Sequence, residues 1–472
     1  MIVAGARVSL PLPRLAQFAG GDLVVPGIPA DPAAREAFLR SGTHGASIDT
    51  RSLEPGQLFV PLPGTRTDGH AFLDEAFRRG AGAALCDREH HAALAGREPG
   101  PLVVVENVTL ALALIARRHR ETWPGLLIGI TGSTGKTTTK ELVAAALATA
   151  GPTLKTEGNL NNHWGVPLTL LGLEPEHRAA VVEMAMNAPG EIEALAHVAI
   201  PNEGIITNAG TAHLERFGTT AAIAHEKAAL ARALAPGRRL FAGADSPALL
   251  EALRGLPARI VTYGLAKDAE VHPDRVEDLG ADGSRVEVRG FPPLHLKLIG
   301  RHQVSNALAA LAVAREHRLE PGAAVTAIES CRPVHGRMEL RKVRGATLLV
   351  DCYNANPDAT AAALDTLARW PGASQRIALL GDMLELGERA VDLHRETGAR
   401  VKGAELWSVG RFADAYASGA RAAGVTSRTF EDKPAARRAL LERLAPGVVV
   451  LLKASRGAAL EDVLDGLEAG GD

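Results

Sequence analysis

Along most of the chain, short apolar runs that end in glycine or a polar residue alternate with alanine-rich segments of helical length. That alternation is the signature of α/β layers with largely parallel strands. The apolar runs predict strands at Leu126 to Ile130, Ala179 to Val182, Gly204 to Thr207, Thr347 to Val350, Arg376 to Leu380 and Val448 to Leu452. Helical patterns follow most of them. A helix over 108–120 leads into the first of these strands, placing a boundary near Glu106. A long helical stretch at 304–319 gives way to "ESCRPVHGRMEL", where proline and glycine place a second boundary near Arg332. The segment from Val271 to Leu298 reads as irregular β-hairpins attached to the middle unit.

Size agrees with that division, because 472 residues exceed a single core and about 100–200 residues per domain predicts two to four. The expectation is an α/β protein of three domains, 1–106, 107–332 and 333–472, with a central phosphate-loop parallel-sheet domain and a Rossmann-like C-terminal one. A formal net charge of -2 leaves no basic surface to compensate a nucleic-acid backbone, so no nucleic-acid partner is expected. Cys86, Cys331 and Cys352 are far apart and in no metal-ligand spacing, which suits a reducing cytoplasm. The opening apolar run is broken by Arg7, Pro11 and Pro13, a poor signal peptide, and no apolar run approaches the ~18 residues of a membrane helix. A soluble, cytoplasmic protein is expected, without membrane insertion.

The chemistry begins at "GITGSTGKTTTKEL", residues 129–142. It sits between an apolar strand and a helix pattern starting near Lys136, the setting a phosphate loop requires. Glycines there let backbone N–H groups converge on phosphate oxygens, and the helix N-terminus adds partial positive charge. Gly132, Ser133, Thr134, Gly135, Lys136, Thr137 and Thr138 are the candidate ATP-binding residues, with Lys136 reaching the β and γ phosphates and Thr137 offering a hydroxyl to Mg²⁺. The general pattern GxxxxGK[ST] wants glycine where Ile130 stands, so only a shorter TGxxGKTT holds; a glycine-rich turn is the plain alternative. Glu183, closing one strand, and His213, in the loop after another, occupy the carboxyl ends where open α/β sheets bind ligands. Each taken alone reads equally as a turn or structural residue. Lys227, in "TTAAIAHEKAALARAL", reads by spacing as a solvated lysine.

Five blocks together are more specific: "DTRSLEPGQLFVPLPGTRTDGHAF" (49–72), the phosphate loop, "TEGNLNNHWGVPLTLL" (156–171), "GRHQVSNALAALAV" (300–313) and "DCYNANPDATAAAL" (351–364), with lesser ones at "GDMLELGE" (381–388) and "LLKASRGAALEDVL" (451–464). With them the chain resembles the Mur ligase family of ATP-dependent enzymes that extend the peptide of bacterial cell-wall precursors. Within it the blocks are most similar to the branch that adds D-alanyl-D-alanine to UDP-N-acetylmuramoyl-tripeptide. The branch adding a diamino acid to UDP-N-acetylmuramoyl-dipeptide, whose DNPR signature is absent, is the second reading within the family, and folate-polyglutamate ligases, which lack the DTR block, rank behind it.

The resemblance implies Thr137 and Glu183 as ligands of one Mg²⁺ carried with ATP, and His213 with Glu183 near a second. It implies that Lys227 is carbamylated by CO₂ and joins the metal ligands, reversing its plain reading. Lys136, Glu183, His213 and Lys227 thereby become the catalytic candidates. Asn306 and Arg337 match positions near the adenine and phosphates, and Asp351 a ribose contact. Asp49, Thr50, Arg51 and Ser52 match positions beside the UDP end of the precursor, and Asn161 and Asn162 lie nearer its peptide. Tyr353, Asn354, Asn356, Ser455 and Arg456 are candidates for gripping the dipeptide. The implied protein is a monomer with the UDP sugar on its first domain, ATP on its second and the dipeptide on its third, closing through hinges near residues 106 and 332. Gln303 and Cys352 stand where many relatives have asparagine and aspartate, and residues 25–42 read as a surface insertion. A phosphate-loop ATPase acting as a switch without ligation is the reading from another class.

Overall fold

A computed structural model describes residues 10–64, 67–94 and 96–465. Among them are three α/β units, each built on its own sheet. The first unit carries a five-stranded sheet whose central strands, Ala83–Asp87 and Leu102–Val105, run parallel. Asp22–Val24 pairs antiparallel at one edge. Residues 25–42 contain a surface helix, Pro32–Ser41, with Asp31 accepting from the Ala34 amide at 2.8 Å. None of the helix's residues is buried, as expected of an insertion.

The middle unit is a six-stranded, wholly parallel sheet in the order Arg259–Tyr263, Arg239–Gly243, Glu203–Ile206, Leu126–Thr131, Ala179–Glu183, Thr153–Lys155. Ile128, Ile130, Val181, Val182, Ile205 and Ile206 are fully buried, because helices cover both faces of a parallel sheet. Each such side chain contributes about 1.5–3 kcal/mol on leaving water. On one face the helix Lys136–Ala148 packs against Arg301–Glu316, and Leu142, Val143, Val304, Leu308 and Leu311 share one apolar cluster. The irregular stretch before that second helix forms the three-stranded antiparallel sheet Arg275–Asp278, Ser284–Glu287 and Leu294–Leu296, as its pattern predicts.

Six strands make the third sheet, in the order Glu339–Val343, Ala346–Asp351, Val448–Lys453, Gln375–Leu380, Glu405–Val409, Ser427–Phe430, parallel except at the first pair. All six expected strands form, each with ends within one residue of its expected position. The expected helix at 304–319 differs more. It begins at Arg301 and stops at Glu316, and a second helix, Pro321–Ser330, opens with Glu320 accepting from the Gly322 and Ala323 amides. Proline at the first turn of a helix is favoured, so Pro321 starts a new helix rather than only ending the old one. Among the described residues no helix is long and apolar enough to cross a membrane.

Candidate active site

The phosphate loop joins Leu126–Thr131 to Lys136–Ala148, and its glycines are required by close approach. At Gly132 (φ +152°) a Cβ would lie 1.8 Å from Thr207 Oγ1, and at Gly135 (φ +80°) 2.4 Å from Asn306 Oδ1. The loop after Glu203–Ile206 braces it from the side. Thr207 Oγ1 donates to Thr134 O at 2.6 Å, the Thr134 amide donates to Asn208 Oδ1 at 3.0 Å, and the Gly210 amide donates to Ser133 Oγ at 2.8 Å. Thr207, Asn208 and Gly210 are site residues that sequence reasoning missed, although "TNAG" directly follows a strand neighbouring the phosphate-loop strand.

Lys136 Nζ donates to Gly132 O at 2.9 Å. Removal of water around its ammonium lowers its pKa, Glu183 raises it, and Arg337 lowers it further. Thr137 Oγ1 lies 3.4 Å from Glu183 Oε1 and accepts from Arg337 Nη2 at 3.1 Å, so the third unit places a guanidinium directly at the loop. Glu183 is buried; Asn161 Nδ2 donates to its Oε1 at 2.8 Å, while its Oε2 has no hydrogen-bond partner. A buried carboxylate oxygen left bare is costly unless a cation completes it. Lys140 Nζ stands 4.0 Å from that oxygen, a buried lysine of the same motif that sequence reasoning passed over.

Lys227 is 1 % exposed, which overturns its plain reading as a solvated lysine. Among the described residues the hydrogen-bond partner of its Nζ is Met186 Sδ, at 3.7 Å, and its neighbour Glu226 is spent on the Gly190 and Ile192 amides. Burial drives its pKa well down, the charge of Lys136 adds to that, and Glu226 opposes it. His213 adopts a left-handed backbone (φ +63°), and its Nδ1 lies 2.7 Å from Glu385 Oε2 of the third unit. That hydrogen bond holds the Glu385 carboxyl below its usual range.

A cleft of about 530 Å³ runs between the second and third units, within the range of small-molecule sites. Ser133, Thr134, Gly135, Lys136, Thr138, Asn306, Arg337 and Asp351 line it together, while Gly132 and Thr137 are not among its lining residues. Asp351 is paired at 2.6 Å with the buried Lys453, a partner the sequence reading did not single out. Tyr353, Asn354 and Asn356 line the same cleft and also an adjoining cavity of about 250 Å³ with His213, Leu384, Glu385, Ser455 and Arg456.

Several candidates carry local duties that limit a binding role, Asn354 among them, whose Oδ1 accepts from the Ala355 amide at 2.8 Å. Asn162 Oδ1 accepts from the Trp164 and Gly165 amides, and Asn356 Oδ1 caps the helix Pro357–Ala368 through the Ala359 amide. Ser455 Oγ accepts from the Leu384 amide and donates to Ala355 O, so it ties loops together. Short polar side chains at loop-to-helix junctions satisfy backbone groups in this way. Asp49 to Ser52 lie in a loop of the first unit, outside the cleft lining, with Asp49 and Arg51 paired at 2.6 Å. The Arg51 side chain holds the Asp49 carboxyl low. Asp68, His70 and His90 form a second cluster of ligand-type groups, but His70 Nδ1 is bonded to Asp68 and its Nε2 accepts from the Asp87 amide, so both ring nitrogens serve the fold.

Residues 42–120 match the family model "Mur ligase family, catalytic domain", 130–314 the "Mur ligase middle domain", and 336–456 the "Mur ligase, glutamate ligase domain". The chain is similar to the UDP-N-acetylmuramoyl-tripeptide--D-alanyl-D-alanine ligases of Bacillus subtilis, at 33% identity over 94% of this chain and 96% of that one, and of Synechocystis, at 38% over 89% and 91%. In solved structures it is similar to MurF from Acinetobacter baumannii, with a TM-score of 0.84, 27% identity and coverage of 98% and 99%. MurF from Thermotoga maritima in complex with ADP aligns with a TM-score of 0.78 at 29% identity, covering 90% and 97%. With its three units matched in order and full-length relatives above 30% identity, the chain belongs to the Mur ligase family.

Proposed function

We propose that this protein is an ATP-dependent ligase that joins D-alanyl-D-alanine to UDP-N-acetylmuramoyl-tripeptide in cell-wall synthesis, releasing ADP and phosphate. One observation carries the reading: a phosphate loop whose Lys136 and Thr137 stand beside buried Glu183, with Arg337 brought onto Thr137 from the third unit. Relatives similar to this chain over about nine-tenths of its length bear that activity in their names.

A carboxylate is a poor electrophile, so the tripeptide acid must first be activated. Its oxygen attacks the γ-phosphorus in line, the bond from that phosphorus to the β,γ-bridging oxygen breaks, and ADP leaves an acyl phosphate. Lys136 and Arg337 face the negative oxygens that crowd together in this step and offset their repulsion. The dipeptide amine then attacks the acyl carbon, the carbon–oxygen bond to phosphate breaks, and the amine loses its proton. His213, paired with Glu385 at the mouth of the smaller cavity, and a carbamylated Lys227 are the two groups suited to assist that deprotonation.

Mg²⁺ fits the donors present: Thr137 Oγ1 and the bare, buried Glu183 Oε2 are hard oxygen ligands beside the phosphate loop. Bound there with ATP, the ion supplies charge neutralisation at the phosphates. Lys227 fits carbamylation, since burial favours the neutral amine, the nucleophile that CO₂ addition needs. We place the enzyme in the cytoplasm, as a monomer, with Asp49 to Ser52 toward the UDP end of the precursor, Asn161 near its peptide and Tyr353, Asn354 and Arg456 toward the dipeptide. The domain limits 1–106, 107–332 and 333–472 remain part of this proposal.

ADP release tests the reading. It should require both UDP-N-acetylmuramoyl-tripeptide and D-alanyl-D-alanine; hydrolysis indifferent to either would mark a switch ATPase, and equal turnover with diaminopimelate or lysine on the dipeptide-bearing precursor would mark the sister ligase.

A further inference from the structure

Tyr353 lies just past the end of the strand Ala346–Asp351, and its amide donates to Gly336 O at 3.0 Å, which pins it to the connector that carries Arg337. The Arg337 guanidinium carbon stands 4.3 Å from the centre of the Tyr353 ring, and that of Arg456 stands 5.5 Å from the same centre. This ring also lines the nucleotide cleft, the cavity that reaches His213, and a third cavity of about 480 Å³. One aromatic side chain therefore sits where the two reacting sites meet and holds a cation toward each.

Neither guanidinium is anchored well without the ring. Arg337 donates to Thr137 Oγ1, yet its Nε is buried with no hydrogen-bond partner. Arg456 is exposed and, among the described residues, has no ion-pair partner. A guanidinium stacked on a π face keeps its orientation while its N–H fork stays free for an anion. The fork of Arg337 is directed at the phosphate loop, and Arg456 lines the cavity that has His213 at another point of its wall. A zwitterionic acceptor in that cavity has its carboxylate met by Arg456 and leaves its amine for the His213 side.

We propose that Tyr353 is a positioning residue that couples the two subsites, its ring holding Arg337 at the nucleotide's phosphates and Arg456 at the acceptor's C-terminal carboxylate. This rests on the ligase reading above, and the nucleotide arm of its test stands apart from that reading.

The test uses the full chain with Tyr353→Phe, Tyr353→Leu and Arg456→Ala, measuring ADP affinity by calorimetry and the KM for ATP and for D-alanyl-D-alanine. Tyr353→Phe keeps the ring face and should impair ADP binding and both KM values far less than the leucine variant does. Tyr353→Leu should weaken ADP binding and raise both KM values roughly five- to thirtyfold, with a smaller fall in kcat at saturation. In an Arg456→Ala background it should add nothing further to the KM for the dipeptide, because the interaction it removes is already gone. Should the leucine variant not fold, Tyr353→His, with a weaker aromatic face, should give intermediate values, and parent-like values there overturn the proposal. Unchanged ADP affinity in Tyr353→Leu overturns it whatever the acceptor proves to be. So does a rise in only one KM, or a phenylalanine variant as impaired as the leucine one. A parent enzyme that ignores D-alanyl-D-alanine would instead refute the ligase reading, leaving the ADP arm to judge the ring.

Discussion

Lys227 separates what residue spacing conveys from what burial conveys. Its helix pattern is that of a solvated lysine, yet its amine is closed off and faces a thioether. Lys227→Ala should abolish ADP release, and short carboxylic acids added to the assay should restore part of it by supplying the missing carboxylate; full activity without them would show that no carbamate is used. Lys136→Ala removes the cation that faces the transferred phosphoryl group, so the rate should fall on the order of a hundredfold or more. A parent-like rate would dismiss the phosphate-loop assignment. The Glu183 carboxylate was legible as a strand-end polar residue, but its bare Oε2 was not, because an unsatisfied atom is defined by what surrounds it.

Among the elements, the phosphate loop is held as much by its neighbours as by its own glycines. Gly132→Ala would drive a methyl group into Thr207 Oγ1, so the variant should fold with its sheet intact but lose nucleotide affinity by at least about tenfold, which ADP titration would measure. The helix Ala390–Ala399 offers a different test. Its buried His394 accepts from the Met383 amide at 3.0 Å and rests against Phe412 and Tyr416. Burial is the main cause that lowers its pKa below 6.5. Between that depressed value and 6.5 the unfolded chain binds a proton that the folded chain does not, so stability rises with pH through this window and is lost as pH falls below 6.5. His394→Gln should flatten the dependence of Tm on pH there, whatever it does to Tm itself; an unchanged slope would show that His394 titrates normally.

Over the whole molecule, the second and third units meet through Arg337 with Thr137, His213 with Glu385, and the Thr211 amide and hydroxyl with Asp358 at 2.6 and 2.8 Å. Polar contacts of this kind break and re-form readily. Closing over ATP would exclude water from an acyl phosphate that water would otherwise destroy. Solution scattering should show a smaller radius of gyration with nucleotide and precursor than without, and Asp358→Ala should enlarge the radius of the free enzyme; radii that do not respond to ligands would argue against hinges near residues 106 and 332.

The sequence by itself determined the alternation of strand and helix, the phosphate loop and the blocks that reveal the family, since all of these are written in local periodicity and in residue types at fixed spacing. The short strands of the first unit, such as Ala46–Ser47 and Leu58–Phe59, left no periodic trace, because two residues are too few to alternate. Only the tertiary structure decided which polar residues reach buried Glu183 and which serve the backbone, as with Asn161, which donates to that carboxylate, against Asn162, which accepts from the Trp164 and Gly165 amides. It likewise brought Arg337 to Thr137 and two guanidiniums to one tyrosine. Those pairings join residues distant in the chain, and their energies depend on burial and direction, neither of which a linear order of side chains contains.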